Sequence, residues 1–212
     1  MALRKEPLVT GEIYHVFNRG VEKRSIVIDD HDRERWLLGL NYYRYENTPI
    51  QLSLASQETF GNLHGQCLVR ILAYCLMPNH FHLLLEPLVE SGASHFLQKF
   101  MLSYSRYFNQ RHQRVGSLFQ GRFQSRRIPT TDLLLHVCRY IHLNPYVAGL
   151  IDDLRDYRWS SYPEYLYPNL AKISEPGVIL RHFPDSEAFQ RFVLDHGEYA
   201  KSLESIKHLA PE

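Results

Sequence analysis

The chain of 212 residues contains no apolar run long enough to span a membrane. Its start, Met1–Pro7, lacks the apolar segment of a signal peptide. Cysteine is scarce, and the three that occur have no metal-ligand spacing: Cys67, Cys75 and Cys138. These absences predict a reduced, cytoplasmic protein with no membrane partner, no disulfide framework and no cysteine-based metal site.

Acidic residues are missing from one long part of the chain. Between Ser91 and Thr131 there is no Asp or Glu, whereas seven of the 24 basic residues fall there. The remaining 17 basic residues stand against all 23 acidic ones, so the net charge of +1 conceals a segregation. This acid-free window predicts a face that binds a polyanion, and the absence of any acid favours that interpretation over a solvated helix face.

The stretch Met77–Pro87 is predicted to be a strand at the centre of the chain. Alternation along a strand puts His80, His82 and Leu84 on one side. The other side is a plausible core face and consists of Phe81, Leu83 and Leu85. The two imidazoles would lie roughly 6–7 Å apart at the backbone, which suits two ligands of one metal ion completed by a third group. Two polar residues facing solvent are the alternative interpretation of the same spacing.

Periodicity predicts the order strand, helix, strand, strand, helix, strand, helix. The predicted ranges are Glu12–Gly20, Arg33–Tyr45, Gln66–Leu76, His80–Pro87, Ala93–His112, Arg122–Pro129 and Leu133–Leu143. Residues 47–65 are predicted to be a loop. Thr130 or Thr131 would cap the last helix, and Pro145 would limit it.

This order predicts an α+β fold, a ferredoxin-like split βαβ antiparallel sheet with one added helix. Weak helical periodicity over residues 175–208 predicts a small C-terminal helical extension. The expected division is a main domain over residues 1–165 and the extension over 166–212.

Several motifs resemble those of a known family. Met77–Leu85 resembles the His-hydrophobic-His motif of single-tyrosine transposases, and Arg139–Leu150 resembles the catalytic helix of the REP-associated tyrosine transposases. Leu118–Phe123, Trp159–Tyr162 and Tyr14–Gly20 also match that family's pattern. Each motif is modest by itself, but together they occur in the family's order over roughly residues 10 to 165.

The resemblance implies that the added helix is catalytic, that Tyr140 is the nucleophile, and that His80 and His82 are metal ligands for Mg²⁺ or Mn²⁺. Asn144, one helical turn after Tyr140, would complete the metal shell, although Pro145 disfavours helical geometry there.

Two further histidines lie on the same predicted helix. His136 precedes Tyr140 by one turn and is an alternative neighbour on the same face, but it is interpreted as a solvated or hydrogen-bonded helix histidine. His142 points away from Tyr140 and is interpreted as structural.

DNA contacts would come from the acid-free window and from the end of the first strand. The candidate phosphate-binding residues are Arg19, Lys99, Arg106, Arg122, Arg126 and Arg127. Asn18 is a further neighbour of the site. Tyr104, Tyr107 and Phe119 could stack on bases, with core packing as the alternative for each aromatic ring.

The expected function is a metal-dependent transposase that cuts and rejoins hairpin-bearing single-stranded DNA through a covalent 5′-phosphotyrosine. Its partners would be REP-like palindromes near the nucleoid, and it would act as a monomer or homodimer with Tyr140 supplied in cis. A free phenol has a pKa near ~10, so the tyrosine needs a nearby metal ion to attack a phosphate. Two alternatives stay open: a domesticated, non-catalytic nucleic-acid-binding module, and a related replication or nicking endonuclease.

Overall fold

The computed structural model describes residues 7–48, 52, 65–170 and 173–195. The four strands are β1 (Tyr14–Arg19), β2 (Val69–Leu76), β3 (His80–Pro87) and β4 (Gln124–Arg127). The three longer helices are α1 (Asp30–Tyr42), α2 (Gly92–Arg111) and α3 (Thr131–Val147). Three shorter helices follow: α4 (Tyr162–Leu166), α5 (Gly177–Leu180) and α6 (Ser186–Leu194).

The strands form one antiparallel sheet in the order β2-β3-β1-β4. This is the ferredoxin-like arrangement, so the predicted α+β fold class is confirmed. The registers that matter most pair Arg19 of β1 with His80 of β3, and His15 of β1 with Arg126 of β4. Residues that face each other across antiparallel strands share one side of the sheet.

One side of the sheet, the apolar face, is defined by Phe81, Leu83 and Leu85, all fully buried. Helices α1 and α2 cover this face. Trp36 of α1 lies with its ring centroid 5.7 Å from that of Phe81 and 5.3 Å from that of Phe100 on α2. The predicted core face of β3 is therefore part of an aromatic cluster whose burial stabilises the fold.

The opposite side, the histidine face, carries His80, His82 and Leu84, and α3 packs against it. The prediction that Pro145 limits this helix is wrong, because α3 continues to Val147 with Pro145 inside. Proline cannot donate a backbone hydrogen bond, but its fixed φ is compatible with a helix. Pro145 is itself buried, together with Leu143 and Ile141, so packing offsets the lost hydrogen bond.

The β2 edge of the sheet is closed by the chain that follows α3. Tyr157 and Tyr165 donate from their hydroxyls to the backbone oxygens of Leu76 and Leu72, at 2.7 and 2.6 Å. The Ser161 amide donates to the Tyr74 carbonyl at 2.9 Å. A covered edge cannot pair with a strand of another molecule.

The first part of the predicted extension packs onto the main domain through α6. Phe189 of this helix stacks on Tyr165, with centroids 4.8 Å apart, and also contacts His142 of α3. The predicted helical periodicity beyond residue 195, and most of the loop predicted over 47–65, lie outside the described residues. Among the helices that are described, none has the length and apolarity needed to cross a membrane.

Candidate active site between the sheet and helix α3

Three histidines and one tyrosine meet on the histidine face. The ring centroids of His80 and His82 are 5.0 Å apart, and that of Tyr140 lies 5.3 Å from His82. His15 on the neighbouring strand completes the group, with centroids 5.1 Å from His82 and 6.1 Å from Tyr140. Strand alternation places the three histidine rings on this side of the sheet, and the packing of α3 brings the tyrosine ring to them.

Tyr140 and Asn144 lie on the same side of α3. The continuous helix through Pro145 keeps them one turn apart, and the Asn144 side-chain amide donates to the Tyr140 carbonyl oxygen at 2.8 Å. The Asn144 side chain also hydrogen-bonds to the His80 ring. Tyr140 is 52% exposed, so its hydroxyl is accessible to a ligand.

The imidazoles are uncharged at neutral pH. Burial, with the positive charge of Arg126 nearby, lowers the pKa of His15 to about 4. Burial and the neighbouring His15 and His80 hold the pKa of His82 well below its usual range. Burial and Arg19 also lower the pKa of His80, against the opposing effect of its hydrogen bond with Asn144. Neutral imidazoles offer lone pairs to a cation.

The donor set fits a divalent metal ion. His82 is 6% exposed, and its Nε2 is buried without a hydrogen-bond partner among the described residues. A buried polar atom without a partner requires an explanation, and an unfilled metal bond supplies one. No group of three or more His, Cys, Asp or Glu in the described ranges could hold a metal ion. The ligand set of His80, His82 and the amide oxygen of Asn144 stays a prediction, and the contact of the Asn144 side chain with the His80 ring is compatible with it.

A cavity of about 300 Å³ opens beside these groups. It is lined by His15, Phe17, His82, Arg126 and Tyr140. An exposed arginine next to a tyrosine hydroxyl and a histidine cluster suits an anionic group, because the guanidinium donates several hydrogen bonds in one plane.

The predicted DNA-binding residues separate into two groups. Arg19 and Arg126 lie on the histidine face, at the end of β1 and in the cavity, and Arg122 is exposed just before β4. Arg127 faces the other way, and its guanidinium donates to both carboxylate oxygens of Glu12 at 2.8 and 2.7 Å. The histidine face therefore receives only part of the predicted set.

Two more members of the predicted set lie on α2, behind the sheet. Lys99 donates to the Glu46 carbonyl at 3.1 Å, and Arg106 is exposed on the same helix. Arg111 of the acid-free window forms ion pairs with Asp29, which immediately precedes α1, and with Asp32 in the first turn of α1. Acids from outside the window therefore neutralise part of its charge once the chain is folded.

The remaining aromatic and polar candidates lie away from the cavity. Tyr104 and Phe119 are buried in the core, and the half-buried Tyr107 donates to Asp32 at 3.1 Å. The Asn18 side chain donates to the Gly121 carbonyl at 3.2 Å and is buried on the apolar side. These placements follow the core-packing alternative for the aromatic rings.

The two histidines of α3, His136 and His142, also lie apart from the site. His136 interacts with Arg139 and Phe192 on the outer side of the helix. His142 is fully buried and hydrogen-bonds to Ser161 at 2.8 Å.

The sequence reasoning missed two residues of the site, His15 and Asn79. His15 hydrogen-bonds to His82 at 2.9 Å, and the Asn79 side-chain oxygen accepts from the His80 Nδ1 at 2.6 Å. Alternation along β1 could have placed His15 on the same side as Arg19, but only the pairing of β1 with β3 brings it to His82.

The chain thus combines a ferredoxin-like sheet with strand histidines that face a helix tyrosine, beside a cavity that Arg126 lines. The sequence model described as "Transposase IS200 like" matches residues 13–144, a range that contains every residue of this site, and the chain belongs to that transposase family. The predicted resemblance to single-tyrosine transposases is confirmed by this match.

A solved structure of a REP-associated tyrosine transposase bound to a REP hairpin has a similar fold. The TM-score is 0.54 at 16% sequence identity, and the similarity covers 84% of this chain and 93% of that chain. At this identity the likeness shows a shared fold. No curated protein matches the chain in sequence.

Proposed function

We propose that this transposase is a REP-associated, single-tyrosine enzyme that cuts and rejoins hairpin-bearing single-stranded DNA. The observation that carries the proposal is the placement of a half-exposed Tyr140 beside the buried His82, in a cavity that also contains Arg126, with the half-buried His80 next to His82. A non-catalytic module does not account for a buried imidazole nitrogen without a partner, among the described residues, beside an accessible tyrosine hydroxyl. A related nicking endonuclease would share this site, and the match to the transposase family favours a transposase.

The chemical step is a transesterification. The Tyr140 hydroxyl oxygen attacks the scissile phosphorus, and the bond from phosphorus to the 3′ oxygen breaks. The phenol proton passes to water, and the departing 3′ oxygen takes up a proton to become a 3′-OH. The tyrosine keeps the 5′ phosphate as an ester, so the strand can be rejoined by the reverse reaction without ATP.

The neighbouring residues orient and hold the substrate. Arg126 lies in the cavity and Arg19 lies beside His80, so both can bind non-bridging phosphate oxygens on the histidine face. A Mg²⁺ or Mn²⁺ ion held by His80, His82 and Asn144 would polarise the scissile phosphate and neutralise its developing charge. Imidazole ligands are more typical of Mn²⁺ than of Mg²⁺, which prefers oxygen.

The tyrosine would act in cis. Helix α3 is held by its own chain, because Cys138 and His142 are fully buried against Tyr165 and Phe189. Release of this helix to a partner subunit would expose that cluster to water. The anchoring supports a monomer as the active unit. Mixing Tyr140→Phe with His80→Ala protein should restore no activity, and restored activity would establish exchange between subunits.

The proposed substrate is a DNA hairpin of the REP type. Its support is the fold shared with a transposase solved on a REP hairpin, together with Arg126 in the cavity, Arg19 opposite His80 and the exposed Arg122 before β4. Single-strand binders combine a positive groove with such exposed side chains.

The decisive experiment is a covalent-adduct assay. Labelled single-stranded oligonucleotides that carry hairpins flanking the gene are incubated with the protein and Mg²⁺ or Mn²⁺, and the products are separated on a denaturing gel. We expect a denaturant-resistant adduct that disappears in Tyr140→Phe, in His80→Ala and without metal. Tyr167→Phe removes another exposed tyrosine hydroxyl outside the site and should leave the adduct unchanged. Binding without an adduct across several hairpins and both metals would replace this proposal with the non-catalytic alternative.

A further inference from the structure

The turn before β3 determines which nitrogen of His80 carries the proton. The Asn79 side-chain oxygen lies 2.6 Å from the His80 Nδ1, and the Asn79 amide nitrogen donates to the Lys23 carbonyl at 3.2 Å. The second bond fixes the orientation of the amide, so its oxygen must face the imidazole. An amide oxygen only accepts hydrogen bonds, and His80 Nδ1 is therefore the donor. The lone pair of the neutral ring then lies on Nε2.

The loop that supplies the Lys23 carbonyl is held in an unusual backbone conformation. Glu22 and Lys23 have φ values of 56° and 60°, in the left-handed region that non-glycine residues rarely adopt. The Gly20 amide donates to the Asn79 carbonyl at 2.8 Å and ties the loop to the same turn. Strained backbone persists only where its surroundings hold it, and here it holds the side chain that orients His80.

The hydrogen bond between His15 Nε2 and His82 Nδ1 allows two arrangements of protons. If His15 were the donor, His82 would carry its own proton on Nε2, which would be a buried N–H group without a partner. If His82 Nδ1 is the donor, the buried Nε2 bears a lone pair that a cation can use. The second arrangement leaves no N–H of His82 unsatisfied, because a neutral imidazole has one donor and one acceptor.

We propose that His15 and Asn79 are positioning residues that direct both ligand nitrogens, His82 Nε2 and His80 Nε2, toward one metal ion. The inference rests on the proposed metal-dependent function and deepens it. His15 is not itself a ligand, because its Nε2 is occupied by the hydrogen bond with His82. Outer hydrogen bonds of this kind fix the tautomer and ring orientation of metal-binding histidines.

The sheet keeps His15 in place. His15 is opposite Leu84 in the β1–β3 register, two pairs along from His82, which is opposite Phe17, so both rings lie on the same side of the sheet. Its ring is stacked on His82 at an interplanar angle of 27° and lies with its centroid 5.0 Å from that of Phe17. The acceptor is therefore fixed by backbone pairing and by packing, and it does not depend on a mobile side chain.

The first test reads the tautomers in the metal-free protein. Long-range ¹H–¹⁵N spectra of the imidazoles should show the proton on Nδ1 in both His80 and His82 at neutral pH. A His82 ring protonated on Nε2 would overturn the inference without affecting the proposed reaction. The ring substitution His15→Phe preserves stacking but removes the acceptor, and it should abolish the Nδ1 preference of His82. Asn79→Ala should do the same for His80.

The second test measures binding of Mn²⁺ alone by electron paramagnetic resonance, without DNA. We expect His15→Phe to weaken binding by about 10–100-fold, in the range found for outer-shell hydrogen bonds. His15→Gln offers a side-chain oxygen as acceptor and should recover most of the affinity. His95→Phe changes an exposed histidine of α2 outside the site. This matched control should bind Mn²⁺ as the wild type does.

The outcomes separate the two proposals. Equal Mn²⁺ affinity in the wild type, His15→Phe and His15→Gln proteins would overturn the positioning role alone. Absence of Mn²⁺ binding by the wild type would overturn the metal site and this inference together. Thermal unfolding of each variant shows whether it is folded, and the tautomer spectra of the wild-type protein keep the inference falsifiable if the Phe variant is not.

Discussion

The two faces of the sheet are built from alternate residues of the same strand, yet they do opposite things. On the apolar face, Phe81 is fully buried, and its ring packs against the aromatic ring of Trp36. On the histidine face, His82 is almost as buried but has a ring nitrogen without a partner among the described residues. Leaving a buried polar atom unpaired costs about 1–3 kcal/mol.

The difference separates a face that stabilises the fold from a face that carries the proposed site. Close packing on the apolar face stabilises the sheet enough for the histidine face to keep polar groups that could bind a ligand. The same strand register serves both, because a shift by one residue would place the histidines in the core and Phe81 in the cavity. Substitutions of neighbouring residues can therefore test the two faces separately.

The largest effect is expected for Tyr140→Phe. Removal of the hydroxyl eliminates the proposed nucleophile, and strand cleavage should fall on the order of 10⁴-fold or more. The side chain is 52% exposed, so the free energy of unfolding should stay unchanged. Cleavage of a labelled hairpin and denaturant unfolding measure the two quantities. Residual adduct formation in this variant would show that another residue attacks the phosphate.

Phe81→Ala and His80→Ala compare the two faces at adjacent positions of β3. Loss of the fully buried Phe81 ring should lower the free energy of unfolding by about 3–5 kcal/mol. The half-buried His80 should change it by less than about 1 kcal/mol while abolishing tight Mn²⁺ binding. Urea unfolding and metal titration check the pair. Equal destabilisation by both would mean that the faces are not separate in function.

Arg126→Gln and Arg127→Gln make the same comparison on β4. Arg126 lines the cavity, and its loss should weaken hairpin binding and reduce the salt slope of single-strand affinity by about 0.7. Arg127 is held by Glu12 on the other side, so its loss should leave the slope unchanged. Fluorescence anisotropy at several salt concentrations measures both slopes. A larger effect of Arg127 would place the DNA on the apolar side of β4.

The smallest effect is expected for Thr130→Ala at the start of α3. The Thr130 hydroxyl accepts a hydrogen bond from the Leu133 amide at 3.3 Å, and removal of such a cap costs about 1 kcal/mol. Thr131→Ala, inside the helix, is the control and should cost less. Thermal unfolding of the two variants checks the order, and the reverse order would assign the cap to Thr131.

Much of the fold could be predicted because its signals are local. The alternation around His80 predicted the core face correctly, and the order of strands and helices was sufficient for the ferredoxin-like class. Thr130 or Thr131 was predicted to cap the last helix, and Thr130 is the capping residue. Helix α1 starts at Asp30, earlier than its apolar periodicity suggests, because the Asp29 side chain caps it by accepting a hydrogen bond from the Asp32 amide.

The sequence by itself determined the strand histidines, the family motif around Tyr140 and the segregation of charge, since each is a pattern of nearby residues. Only the tertiary structure decided which charges remain available, because Arg111 and Arg127 find acidic partners distant in sequence. It also decided that α3 passes through Pro145, because burial outweighs the local preference. The partnership of His15 with His82 required strand pairing across 67 positions, a relation that local spacing does not contain.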